Sequence, residues 1–112
     1  MLFGIKLFAN TNTKLIINTR IKLTRAILNN ALNDDVEVLF SNQYSNNILL
    51  TKLSIDDPEE KFDDILTTGE EITFHTVGGT ISLIGYFLDV EHFADVKPPV
   101  VQVEPFFQHN LE

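Results

Sequence analysis

Residues 71–85, EITFHTVGGTISLIG, decide the fold. Apolar and polar side chains alternate through Ile72-Thr73-Phe74-His75, and alternate again through Ile81-Ser82-Leu83. Both runs are rich in β-branched and aromatic residues, and a period of two puts alternate side chains on opposite faces of a strand. Gly78-Gly79 between them predicts a hairpin, since primed turns need residues free of a Cβ clash. The same period extends outward. Phe3, Ile5 and Leu7 alternate with Gly4 and Lys6, and Val36, Val38 and Phe40 alternate with Glu37 and Ser41. Strands are predicted near 2–8, 13–18, 21–28, 36–42, 47–54, 61–66, 70–77 and 80–88. Polar turns such as Asn10-Thr11-Asn12 and Ser45-Asn46-Asn47 separate them. Short strands at this spacing indicate an all-β, eight-stranded antiparallel sandwich or barrel. The stretch TRAILNNALNDD offers a helical alternative, but its Asn content and missing Gly cap limit that to a turn or two.

From Asp89 onward the alternation decays, and Pro98, Pro99 and Pro105 disfavour a central strand. Residues 1–92 therefore read as one core domain and 93–112 as an extended or flexible C-terminal tail. A chain of 112 residues is one domain's worth, and 44% apolar residues with nine Phe exclude disorder for most of it. No apolar run reaches the roughly 18 residues of a spanning helix. The start, MLFGIKLF, lacks the pattern of a secretory signal. The absence of Cys removes disulfides, thiolate catalysis and Cys-ligated zinc, and fits a reducing compartment.

Net charge is −8, which argues against nucleic acid and anionic membranes as direct partners and leaves cationic proteins open. The charge is unevenly placed. Residues 1–33 carry Lys6, Lys14, Arg20, Lys22 and Arg25 and no acid, whereas residues 56–71 carry eight acids against Lys61 alone. Those acids are Asp56, Asp57, Glu59, Glu60, Asp63, Asp64, Glu70 and Glu71. Either they form a solvated face, or they are a site for a basic partner. Pro58 and the density of carboxylates place the first four in an exposed loop.

If Ile81, Leu83 and Phe87 face the core, then Ile84, Tyr86 and Leu88 project from the opposite face. The same alternation puts Phe8, Leu28 and Leu39 outside. That excess of outward apolar side chains predicts self-association. An unseen bulge would shift the phase, and Arg25, in the core phase of its strand, is the expected place for one.

Chemistry-bearing constellations are weak. His75, His92 and His109 have no ligand spacing, and no metal or cofactor is expected. Ser41, Ser45, Ser54 and Ser82 lie in no nucleophile elbow. Adjacent carboxylates on a strand point to opposite faces, and the 56–64 stretch fails the calcium-loop pattern. The expectation is a chain with no catalytic residues.

Several segments together resemble the nucleoplasmin family. Leu2-Phe3-Gly4 is similar to that family's opening, and residues 21–28, IKLTRAIL, to its third strand. Asn33-Asp34-Asp35-Val36-Glu37-Val38 resembles the following loop and strand, and residues 71–85 its late turn and strand. The likeness covers residues 2–90. It implies an eight-stranded jelly roll that forms a homopentamer, sometimes paired into a decamer, and acts in the nucleus or nucleolus as a histone chaperone. Its partners would be core histones, as dimer or tetramer subcomplexes, bound by the eight acids named above for nucleosome assembly and chromatin remodelling. The expected subunit contacts are Phe8, Leu39, Gly78, Gly79, Ile84, Tyr86 and Leu88. A related branch carries this domain ahead of the isomerase domain of nuclear FKBP-type immunophilins, so an oligomerisation domain without histone binding is the alternative. Asn33 stands where the family's loop often has Lys, and the family's long Asp/Glu tracts are absent. A viral-type jelly roll or a carbohydrate-binding module is a third reading, weakened by the absence of Trp.

Overall fold

The computed structural model describes residues 1–106; His109 and the rest of 107–112 lie outside the described residues. The strands are β1 (Leu2–Leu7), β2 (Thr11–Ile16), β3 (Ile21–Ala31), β4 (Val36–Ser41), β5 (Ile48–Leu53), β6 (Glu59–Leu66), β7 (Glu71–Val77), β8 (Gly79–Phe87) and β9 (Val100–Pro105). All pairings are antiparallel. One sheet has the order β1-β8-β3-β6, the other β5-β4-β7-β2-β9. Between them lies a core to which both contribute: Leu7, Ile21, Leu23, Ala26, Ile81 and Leu83 from the first, Leu15, Val36, Val38, Leu53, Ile72 and Phe74 from the second. The fold is an all-β sandwich, and every strand read from the alternation is present.

The differences have physical causes. Residues 24–31 belong to β3, so the helical alternative does not occur. Gly78-Gly79 turns the chain, but not as a hairpin: β7 and β8 lie in different sheets. Gly78 has φ +88°, and its carbonyl accepts from the N–H groups of Leu32 and Asn33. A Cβ on Gly79 would collide with the Asn30 carbonyl and Val36. The pair is buried at a corner where the chain crosses between sheets. The segment read as a tail contains β9, which pairs along β2 at the sheet edge, with Pro98-Pro99 before it and Pro105 at its end. An edge position is where prolines are tolerated.

The bulge named as the alternative to an outward apolar band is present at the place where Arg25 would put it. Register slips between Leu23 and Arg25 against both β8 and β6. Leu23 and Ala26 are both buried, so the interval between core residues is three rather than two and Arg25 turns outward. Leu28, predicted outside, is consequently carried inward and packs partly buried against the core. Opposite the irregularity, Gly85 pairs with Leu23, and a Cβ there would run into the Lys22 carbonyl.

Gly85→Ala should therefore cost at least about 2 kcal/mol of stability, because backbone rather than a flexible side chain must move. Gly4→Ala, whose added methyl meets nothing closer than 3.6 Å, should stay within about 0.5 kcal/mol. Urea denaturation of both variants checks the contrast.

Candidate functional site

The acidic segment folds into a turn and an open edge. Asp56 and Asp57 sit in a tight turn closed by reciprocal backbone hydrogen bonds between Ser54 and Asp57. Glu59 and Glu60 are not in that loop: β6 starts at Glu59, pairing with Ile27, two residues earlier than the alternation predicted. Carboxylates are tolerated there because β6 is an edge strand with both faces largely wet.

Antiparallel pairing then sets the base-rich N-terminal third against these acids. Arg25 Nη1 lies 3.1 Å from Glu59, Lys22 Nζ 3.3 Å from Asp63, and Lys14 Nζ 3.0 Å from Glu71. These exposed pairs contribute about 0–1 kcal/mol each. Their larger effect is to cancel charge on the outer faces. Asp56, Asp57, Glu60, Asp64 and Glu70 make no ion pair among the described residues. Glu60 instead accepts from the Thr51 hydroxyl, and Glu70 accepts from the Thr67 N–H at 3.0 Å and from Asn42 Nδ2 at 3.4 Å.

The expected subunit-contact residues do not form one surface. Ile84 and Tyr86 face out from the β1-β8 side of the first sheet, Tyr86 opposite Leu2, which is 74% exposed. Phe8 is exposed just past β1. Leu88 is half-buried beyond β8, its N–H donating to the Arg20 carbonyl. Leu39 lies on the opposite side of the molecule, outward on β4 beside Leu49 and His75. Gly78 and Gly79 are interior. Sequence reasoning missed Leu2, Tyr44, Ile48, Leu49, Ile65 and Phe93, all exposed. On the β1 side, Leu2, Ile5, Phe87, Phe93, Val96 and Val101 line an open, largely apolar cleft of about 650 Å³. No local period shows such a cleft, since residues from the chain's two ends build it.

Another unforeseen arrangement lies on the outer face of the second sheet. His75 Nδ1 stands 2.7 Å from Asn12 Oδ1, and its Nε2 stands 3.0 Å from Ser41 Oγ. With Asn12 as acceptor, the Nδ1–H donates, and the single Ser41 hydroxyl hydrogen is shared between His75 Nε2 and Asn46 Oδ1, which also lies 3.0 Å from Ser41 Oγ. Ser41 Oγ also accepts from the Asn47 N–H at 3.0 Å, tying the 42–47 loop to the sheet. Burial pushes the His75 imidazole below its ordinary pKa. His75 thus joins three neighbouring strands.

No protein-family model and no curated protein matches this chain. Solved structures do match. The nucleoplasmin-like N-terminal domain of Drosophila FKBP39 superposes with a TM-score of 0.71 at 17% identity, covering 82% of this chain and 92% of that one. The Drosophila NLP core superposes at 0.65 and 13% identity, covering 81% and 98%; its structure is described in terms of pentamer formation and histone binding. At these identities the likeness is one of fold, and the fold is nucleoplasmin-like.

The His75 network makes a pH prediction. The folded chain favours the neutral ring, whose pKa lies below the unfolded value of about 6.5. Its contribution to stability is fully present above about pH 6.5 and is lost as pH falls through the lowered folded value. The urea midpoint should fall as the protein is acidified across that window. His75→Gln should flatten that part of the profile.

Proposed function

We propose that this nucleoplasmin-like chain is a histone-chaperone module: a non-catalytic, self-associating acidic sandwich that binds basic histones in the nucleus during nucleosome assembly. The observation that carries the reading is the open edge at β6. There Asp56, Asp57, Glu60 and Asp64 have no cationic partner among the described residues, while Glu59 and Asp63 are paired with Arg25 and Lys22. The description of the Drosophila NLP core in terms of histone binding supports the same assignment. Many weak exposed contacts suit capture and release better than one tight site, and self-association multiplies them.

Self-association also has a geometric basis. Leu2, Ile84 and Tyr86 lie on one outer face, and Leu39 with Leu49 lies on the other. Two different patches on opposite sides suit a heterologous, head-to-tail contact, the type that closes into a ring. A homopentamer is the expected closed form. A second reading, an oligomerisation domain without histone binding, is favoured by the likeness to the N-terminal domain of FKBP39.

Light scattering after size-exclusion chromatography should give about five times the 12.7 kDa protomer mass at micromolar concentration. Leu2→Asp with Tyr86→Asp, at exposed positions, should reduce it to the protomer without unfolding; a wild-type protomer mass would refute the ring. Neutralising Asp56, Asp57, Glu59 and Glu60 to Asn or Gln should leave the oligomer intact and weaken core-histone binding about three- to tenfold. Wild-type binding should fall steeply as salt rises toward about 0.3 M. Salt-insensitive binding, equal for both proteins, would remove the acidic segment from the site, and no histone binding by either would favour the second reading.

A further inference from the structure

The polarity of β6 is inverted near its end. Leu23 pairs with Asp64 and Ala26 with Glu60, and both β3 partners are buried in the core. Paired residues of an antiparallel ladder point to the same face, so Glu60, Phe62, Asp64 and Leu66 form the inward row. Ile65 points outward and is 51% exposed. A strand built only for packing would carry these two the other way round. Glu60 has a use for its position, accepting from Thr51 on the opposite sheet. Asp64 shows none: its side chain makes no hydrogen bond or ion pair among the described residues.

Asp64 stands instead at a cleft of about 240 Å³ between the two sheets. Leu23, Phe40, Leu50, Leu66, Ile72 and Phe74 form its apolar lining, and Glu70 is the second carboxylate beside it. Glu70 is held by the Thr67 N–H and the Asn42 amide, so one of the two acids is fixed in place before anything binds. Among the described residues β6 pairs only with β3, so its other edge has no strand partner there.

Resting on the histone-binding reading above, we propose that this cleft is a slot for one lysine or arginine side chain of an extended basic protein segment lying along β6. The aliphatic stem occupies the apolar interior, as long cationic side chains do when they bury their methylenes and keep the charge at the mouth. The cation meets Asp64 and Glu70 in charge-assisted hydrogen bonds. The segment's backbone adds to the open edge of β6, the mode by which extended peptides dock on sheets. Complementarity selects the occupant. A second copy of β6 would set carboxylate against carboxylate, and an apolar side chain would leave Asp64 without a partner and the Glu70 charge uncompensated.

Fluorescence anisotropy with a labelled synthetic peptide of alternating Lys and Thr tests this, with an Nε-acetyl-lysine version as control. Two double variants of the 112-residue chain each remove two charges: Asp64→Asn with Glu70→Gln at the slot, and Asp56→Asn with Asp57→Asn at the nearby turn. The slot variant should bind the peptide about tenfold more weakly and the turn variant less than threefold. The acetylated peptide should bind neither variant nor wild type. If the slot variant unfolds, as judged by circular dichroism, exposed Asp64→Asn alone carries the same comparison. Equal losses, or a larger loss at the turn, overturn the slot while wild-type binding to core histones leaves the chaperone reading standing. Failure of wild type to bind either peptide or core histones overturns both.

Discussion

The close pairing of β8 beside β3 constrains most of the sandwich. Gly85 lets the two backbones approach beside the irregularity at Leu23–Arg25, where a methyl group would meet the Lys22 carbonyl. The irregularity in turn decides which β3 side chains enter the core. Ala26 and Leu28 are drawn inward, while Arg25 leaves a position that would have buried a guanidinium. Burying that charge unpaired would cost several kcal/mol, and one extra residue in the ladder avoids it. Arg25 is then free to meet Glu59 on the outer face.

From this follows the charge distribution. The N-terminal bases and the acids of 56–71 are far apart in sequence, but β3 lies beside β6 and β2 beside β7. Outward acids on those strands are largely compensated by their neighbours. Carboxylates in the turn and on the inward row of β6 are not. The field presented to a partner is therefore narrower than the composition implies, and it is concentrated at the open side of the sandwich between β5 and β6. The opposite open side, between β1 and β9, is apolar. The two open sides of this small domain therefore differ in chemistry, one acidic and one apolar.

His75 illustrates how chemistry escapes a reading along the chain. Asn12, Ser41 and His75 belong to β2, β4 and β7, and their hydrogen bonds depend on strand order rather than on spacing. The sequence offered a His in the middle of a strand, but its partners were not legible. Gly78-Gly79 shows the converse. Its turn propensity was legible, but whether the flanking strands pair or part was not, because that depends on which sheet each joins.

Local sequence determined that the chain is all-β, where its first eight strands lie, which side chains of most strands alternate into the core, and that Arg25 marks an irregularity. Those properties follow from a two-residue side-chain period and from the cost of burying charge, both of which act over a few neighbouring residues. Tertiary structure alone decided which strands are neighbours, and with them which acids are cancelled, that Asp64 faces inward while Ile65 faces water, and that Val100–Pro105 becomes an edge strand. Strand partners are chosen by contacts between residues distant in sequence, formed only when both sheets close over a shared core, so no local pattern encodes them.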